Sequence, residues 1–541
     1  VFDWLKRRPA SRVTLGLATG AAEAESVREV AEGLGQGDRP EIRDDVDALT
    51  AHPAFAACPL ILIATAEGRA PDIAARVASA RGGGPSAQSC EIAVLAEDPL
   101  TQIALRDADA TLTGLPIRIR PLSRTAFLAR QLLAETCPPD RVLRLAPDGG
   151  HLPVIIAGDA SHLAAQILLA LLRLLHLPGI APMATLAGPG MPGLLARLRG
   201  GLPELDAIGR IVASERMAHD GPLPALILAL PGAPDDEALR RVDASGVAPI
   251  VRLAAPGWRE IAARLRDDEQ DRVARSIHAL HLAERVDAGR DRGEHPSLVP
   301  WDELPERFRE ASRHQASHTK LKLRVAGARG MPPTETASFA WTEAELAALA
   351  RVEHARWASV VRSEGWSLGA TRDDRAKRTP LLVPFDDLTQ EIRDIDVLPV
   401  RAAPRQLNHA GLAATRDLIL AVRAGTAPPG RGFAAGLRAA LDRVRKAHGE
   451  RQLVLRIAGL AGCAGTAAEL AARNGIAFQL ALTTEPQGEL PAPLLRAAER
   501  IAVGSAVSML PAAIATIGLG DVPPSSADLF HLDADGRPVA Q

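Results

Sequence analysis

The chain has 541 residues, 47% of them hydrophobic, and its 63 Lys and Arg against 65 Asp and Glu leave a net charge of −2. Charge this even and interspersed excludes the basic patch that grips a phosphate backbone, so no nucleic acid is expected as a partner. Cys58, Cys90, Cys137 and Cys463 are too few and too scattered for a disulfide framework or a metal knuckle, which fits a reducing cytoplasm.

A length of 541 residues exceeds one core and predicts three to four domains. The opening Val1-Phe2-Asp3-Trp4-Leu5-Lys6-Arg7-Arg8 has no apolar stretch behind its charges, so no secretory signal is expected. Residues 12–136 read as one α/β unit. Val13-Thr14-Leu15-Gly16-Leu17-Ala18-Thr19-Gly20 is a short strand running into a Gly-containing turn, and residues 21–34 have helical spacing. Cys58-Pro59-Leu60-Ile61-Leu62-Ile63-Ala64-Thr65 and Glu91-Ile92-Ala93-Val94-Leu95-Ala96 are buried strands with a helix at 71–80 between them. Alternation of this kind predicts a parallel, doubly wound sheet, in which ligands sit at the carboxyl ends of the strands.

Residues 150–255 repeat the plan. His151-Leu152-Pro153-Val154-Ile155-Ile156-Ala157-Gly158 is a strand ending in Gly, Asp159 to Leu163 form a turn, and residues 164–176 are a long apolar helix. That helix contains Arg173 and is read as buried within an α/β unit, not as a membrane span. Residues 183–187, 225–230 and 249–253 supply the next strands. These two units resemble the nucleotide-binding TrkA-N (RCK-type) domains that regulate bacterial potassium transporters and channels. The likeness is carried by the strand, Gly and helix of residues 154–176, by residues 57–80, and by Ala96-Glu97-Asp98-Pro99-Leu100 with residues 127–133 after it. It implies a nucleotide such as NAD(H) as cofactor and a membrane potassium channel or transporter as partner. A pyrophosphate site of that kind needs closely spaced glycines so that backbone N–H groups can approach it. Only Gly16 and Gly20 in the first unit and Gly158 in the second stand at such turns, with Asp159 beside the last. Ala160 and Leu163 occupy the positions where further glycines belong, so the spacing weighs against a dinucleotide.

Residues 256–340 are expected to form a helical connector. Residues 258–285 have amphipathic spacing, and residues 300–320 read as a helix carrying Arg313, His314, His318 and Lys320. A solvated helix face is expected there ahead of an anion-gripping one, and no third ligand accompanies His314 and His318 for a metal.

Residues 341–407 carry the most concentrated pattern. Glu353-His354 and Trp357 lie at i, i+1 and i+4 of a helix, followed by Gly365-Trp366, Gly369, Arg372-Asp373, Lys377, Pro380, Leu382-Val383-Pro384, Leu388 and Asp396. This order resembles the ryanodine-receptor (RyR) domain, found in tandem in the calcium-release channel and singly in bacterial proteins, where TrkA-N-like units precede it. Leu368 and Thr379 stand where the family usually has an aromatic and a His. The resemblance implies a small, mainly helical binding module, with Glu353, His354, Trp357, Trp366, Arg372, Lys377 and Pro384 as candidate ligand contacts. From the residues themselves, Trp357 and Trp366 read as core anchors and His354 as a satisfied hydrogen-bonding residue.

Residues 408–541 return to α/β patterning, with strands at 417–420, 453–460 and 477–482, a basic amphipathic helix at 435–448 and a small-residue turn Gly462-Cys463-Ala464-Gly465-Thr466. Strand, turn, helix and strand resemble the Rossmann-like SLOG ligand-sensing domains, of whose opening Arg416-Asp417 are retained. Cys463 is either an activated thiolate at a helix start or a buried packing residue. Residues 501–520 lack charge but are diluted by Pro511 and glycines, so a helix, a break and a buried strand are expected in place of a membrane span.

No phosphate loop, nucleophile elbow or zinc pair is present. The expectation is therefore an α/β, multidomain, non-catalytic sensor. It has two Rossmann-like parallel-sheet units, a small helical RyR-like domain and a C-terminal Rossmann-like domain, and it is cytoplasmic, homo-oligomeric and responsive to a small molecule or nucleotide. The competing expectation is a nicotinamide-dependent oxidoreductase or a nucleotide-processing enzyme.

Overall fold

The computed structural model describes residues 14–34, 40–82, 89–112, 114–136, 143–144, 150–216, 224–242, 248, 250–266, 270–287, 289, 295–333, 339–449, 451–482, 498, 500–503, 513–523, 525 and 528–539. Its first sheet is built from β1 (Leu15–Ala18), β2 (Glu41–Arg43), β3 (Leu60–Ala64), β4 (Cys90–Leu95) and β5 (Ile117–Leu122), interleaved with α1 (Ala21–Gly33), α2 (Val46–Thr50), α3 (Ala70–Arg81), α4 (Pro99–Thr111) and α5 (Arg124–Thr136). Every residue of β3 is buried, as a parallel strand covered on both faces requires. All pairings are parallel and the strand order is β2-β1-β3-β4-β5.

A two-residue strand, β6 (Leu143–Arg144), leads to the second sheet: β7 (Gly150–Ala157), β8 (Ile180–Ala187), β9 (Arg210–Ser214), β10 (Leu226–Ala229) and β11 (Ile250–Arg252), with α6 (His162–Leu174), α7 (Met191–Gly201) and α8 (Asp236–Val242) between them. Here the order is β11-β10-β7-β8-β9, again all parallel. In each sheet's own sequence order the first reads 2-1-3-4-5 and the second 3-2-1-4-5. Both are doubly wound orders, but neither sheet is a copy of the other. Ser161 caps α6 by accepting from the Ala164 N–H at 3.3 Å, and α6 is apolar nearly all round because it is buried nearly all round.

Helices α9 (Trp258–Arg266), α10 (Gln270–Asp287) and α11 (Glu306–Val325) and strand β12 (Ala328–Met331) follow. Trp258, Ile261 and Ala262 of α9 pack into the core of the first sheet against Val27, Val30 and Leu34. Helix α11 runs through the middle of the molecule and touches α4, α5, α6 and α10. The solvated face expected there is found only in part: Lys320 is exposed and His314 half-buried, but Arg313 and His318 are buried, as are Glu306, Arg309 and Lys322 on the same helix. The buried arginine charge is tolerated because it is paired, Arg313 to Asp271 at 2.7 Å, to Glu306 at 2.6 Å and to Glu310 at 2.7 Å.

The compact module after it contains α12 (Glu343–Arg362), β13 (Ser367–Leu368), β14 (Arg378–Thr379), α13 (Gln390–His409) and β15 (Ala413–Arg416). A capping box fixes the start of α12, with Thr342 Oγ1 accepting from the Glu345 N–H and the Glu345 carboxylate from the Thr342 N–H. β15 returns to pair antiparallel with β12.

The last sheet has β16 (Leu418–Ala424), β17 (Leu453–Ile457), β18 (Ala477–Leu482), β19 (Arg500–Val503), β20 (Ala515–Leu519) and β21 (Asp528–Leu532), with α14 (Phe433–Ala447) and α15 (Gly462–Arg473). Its order is β21-β20-β16-β17-β18-β19-β6, all parallel, so the linker strand between the first two sheets closes its far edge. Of the uncharged stretch at 501–520, the described parts are strands and the ends that flank them, and residues 504–512 lie outside the described residues. Among the described residues no helix is long and apolar enough to cross a membrane.

Candidate functional site

A doubly wound fold binds ligands at the carboxyl edges of its sheets. Gly158 ends β7 at φ 136°, a conformation in which a side chain is strained, and a Cβ on it would meet the Pro231 carbonyl at 2.7 Å. The N–H groups of Gly158, Asp159 and Ala160 donate to the carbonyls of Ala187, Pro231 and Pro189, each at 3.0 Å. The donors that would cradle a pyrophosphate are thus spent on neighbouring loops, and the Asp159 side chain lies against Gly232. At α7 the Gly190 N–H donates to the Glu215 carboxylate at 2.9 Å.

In the first sheet Gly16 is not in a turn. It lies within β1, where a Cβ would meet Val27 Cγ1 at 2.9 Å, so its smallness lets α1 approach the strand. Gly20 precedes α1, and a Cβ there would meet Glu23 Oε2 at 2.6 Å, so a carboxylate occupies the positive end of the helix. In the last sheet Cys463 is buried at the start of α15, and burial together with Asp521 pushes its thiol upward from its usual range. That is the opposite of an activated thiolate. Arg416 and Asp417 lie at the amino end of β16, away from the ligand edge. Arg416 pairs with Glu345 at 2.7 Å and Asp417 with Arg329 at 2.6 Å, tying this sheet to α12 and β12.

Glu353 is buried between α11 and α12, where it accepts from Lys322 Nζ and, in a fork at 2.7 and 3.0 Å, from Arg356. Burial alone would raise its carboxyl, but Arg356 and Lys322 outweigh that and hold it well below the usual range. His354 is buried too and satisfied at both nitrogens: Nε2 donates to the Val383 carbonyl at 2.8 Å and Nδ1 faces Asp396 at 3.0 Å. Trp357, half-buried, stacks on His354 at 5.7 Å between ring centroids. Phe385 lies edge-on to His354, and Pro384 opens its short turn at the surface. Trp366 is half-buried with the exposed Arg372 guanidinium over its ring. Lys377, the one described non-glycine residue at positive φ, leaves the module and reaches Asp107 of α4 at 2.6 Å. The seven residues therefore divide into a buried pair, Glu353 and His354, two separate aromatic contacts, Trp357 on His354 and Trp366 under Arg372, a surface turn residue, Pro384, and one bridge to the first sheet, Lys377.

Residues 338–416 match the RyR domain. No curated protein matches the chain.

The end of α12 joins this RyR domain to both N-terminal sheets, through residues that the sequence reading did not single out as a site. Glu364 receives Arg106 of α4 in a fork at 2.8–3.2 Å and Arg173 of α6 at 3.4 Å, and Ser363 Oγ accepts from Arg173 Nε at 2.6 Å. The only sequence signal was Arg173 itself, a charge inside an otherwise apolar helix. Beside this joint lies a cavity of about 80 Å³ between α4, α5, α6 and α11, lined by Arg106, Arg130, Arg173, Gln166, Glu310 and His314 among others. Further along α11, His318 is fully buried and neither of its ring nitrogens has a partner among the described residues. Burial and the Lys322 charge push its imidazole well down, so it is held neutral.

Proposed function

We propose that this chain is a non-catalytic, ligand-sensing regulatory protein in which the N-terminal sheet units act as TrkA-N-like sensors and the RyR domain as the element they control. The observation that carries the reading is the joint at Glu364. One carboxylate of the RyR domain is held at once by an arginine from each sheet unit, so any ligand that shifts either helix acts on the same contact. The output suggested by the TrkA-N likeness is control of a membrane potassium channel or transporter carried by another chain, with the last sheet as a SLOG-like second sensor.

A thermal-shift panel on the full chain with NAD, NADH, ATP and cyclic nucleotides tests this, because a ligand bound only by the native state raises apparent stability. A saturable shift without turnover is the expected result. Conversion of the nucleotide would replace this reading with the enzymatic one. A second reading, a nicotinamide-dependent oxidoreductase, is favoured by the 3-2-1-4-5 order of the second sheet. The occupied N–H groups at Gly158, Asp159 and Ala160 weigh against it.

A further inference from the structure

The cavity beside the joint has a composition that an apolar packing defect lacks. Arg106, Arg130 and Arg173 reach it from α4, α5 and α6, three different helices, while among the described residues the carboxylates within ion-pair distance of them number two, Glu310 and Glu364. Glu310 is shared, since Arg313 also holds it at 2.7 Å. Each of the three guanidiniums keeps N–H groups that no described residue accepts: Nη1 of Arg106, Nη1 of Arg173, and Nε and Nη2 of Arg130. Placing one buried and two half-buried arginines around a void is costly unless something negative completes them.

We propose that the cavity is a binding site for a small inorganic oxyanion, phosphate or sulfate, gripped by Arg106, Arg130 and Arg173. A volume of about 80 Å³ suits a tetrahedral ion. It is far below the several hundred Å³ that enclose a drug-sized ligand, so a nucleoside does not fit. Guanidinium forks match oxyanion geometry. His314, driven toward its neutral form by burial and by Arg173, adds no positive charge of its own but can offer one N–H. The side chains of Arg130, Glu310 and His314 keep between 16 and 19% of their surface exposed, which marks the side from which an ion enters. Because Arg106 and Arg173 also hold Glu364, an ion drawn between them competes for the contact that fixes the RyR domain. This deepens the sensing reading and rests on it for its consequence, though not for the binding itself.

The test is titration of the full chain, in a buffer free of oxyanions, with inorganic phosphate, with sulfate and separately with ATP, followed by thermal shift and calorimetry. Saturable binding of phosphate or sulfate is expected, weakened at least tenfold by Arg130→Gln. It should be unchanged by Arg197→Gln, which alters an arginine of α7 outside the cavity. Should Arg130→Gln not unfold cooperatively, Ala170→Leu, which fills the cavity from α6, must weaken binding likewise. Absence of saturable phosphate and sulfate binding by the wild type overturns the site, and if a nucleotide from the panel still shifts the protein, the sensing reading outlives it. Equal affinity in folded Arg130→Gln and wild type also overturns it, as an adventitious ion only. Ion binding that leaves hydrogen exchange at Ser363 and Glu364 unchanged upholds the site and removes its link to sensing.

Discussion

Glu353 and His354 were legible in the sequence as a concentrated pair, but what they do was not, because burial is not written in the order of residues. Glu353 is 2% exposed and answers two cations that are themselves buried. Glu353→Gln leaves Lys322 and Arg356 without their carboxylate and is expected to cost about 3–5 kcal/mol, read as a lower urea midpoint at unchanged m-value. An unchanged midpoint would return Glu353 to the role of an optional ligand contact. Acid acts on the same buried layer. His176, bonded to the Leu172 carbonyl at 2.8 Å and to Ser359 at 2.6 Å, is pushed by burial from its ordinary 6.5 to about 4. Between those values the unfolded chain takes up a proton that the native protein refuses. The contribution is therefore whole above pH 6.5 and is lost as the pH falls toward 4, about 2 kcal/mol by pH 5. His314 and His318 are depressed as well and add the same sign. Asp109, raised by burial from 3.8 to about 6, opposes them, since its contribution is whole below 3.8 and is lost as the pH rises through 6. His278, His281 and His295 are depressed by burial too, and Glu67 is raised by burial as Asp109 is. Six groups against two predict a melting temperature that falls from pH 7.5 to 5.5, with His318→Leu flattening the fall at no cost at pH 7. A melting temperature that holds or rises over that range would contradict the assignment.

At the scale of elements, strands were the readable part. A parallel strand buried on both faces must be an unbroken apolar run, and Leu60–Ala64 and Leu226–Ala229 are such runs. Strand order was not readable, because it depends on which way each crossover turns and not on the strand's own residues. Helix α13 was hidden for another reason: Pro399 and Pro404 normally break a helix, yet both lie inside its 20 residues. Helix α11 misled through its polarity, since charges that pair with one another can be buried, and the sequence does not show the partners. The packing of α9 on α1 depends on Gly33, where a Cβ would run into the Arg259 backbone carbonyl and approach the Ala262 Cβ at 2.7 Å. Gly33→Ala is expected to destabilise by about 1–3 kcal/mol, as overpacking does. Gly193→Ala in α7, where a Cβ meets nothing within 4 Å, should be neutral or stabilising by up to about 1 kcal/mol. Chemical denaturation of the two variants side by side checks the pair, and equal effects would remove the special role of the α1–α9 crossing.

Across the whole molecule, the chain returns on itself. β6, between the first two sheets in sequence, pairs with β19 of the last sheet, while Arg416 and Asp417 tie that sheet to α12 and β12. Against this background the Glu364 joint is local: it connects one end of α12 to α4 and α6, and its hydrogen bonds among the described residues reach none of the last sheet. Glu364→Gln removes the only carboxylate in ion-pair contact with Arg106 and Arg173 among the described residues, with Arg106 and Arg173 buried to 7 and 12% side-chain exposure. A buried cation stripped of its partner costs about 3–5 kcal/mol. The loss should appear where the contact was, as faster amide exchange in α12 from Val360 onward and near Lys377, whose Nζ donates to the Glu364 carbonyl at 2.9 Å. Protection in β16, β17 and β18 should stay as in the wild type, because their ties run through Arg416 and Asp417 instead. Exchange that accelerates in those strands to the same degree would mean that the RyR domain and the sheets unfold as one unit, and a single carboxylate could not then serve as a separable control point.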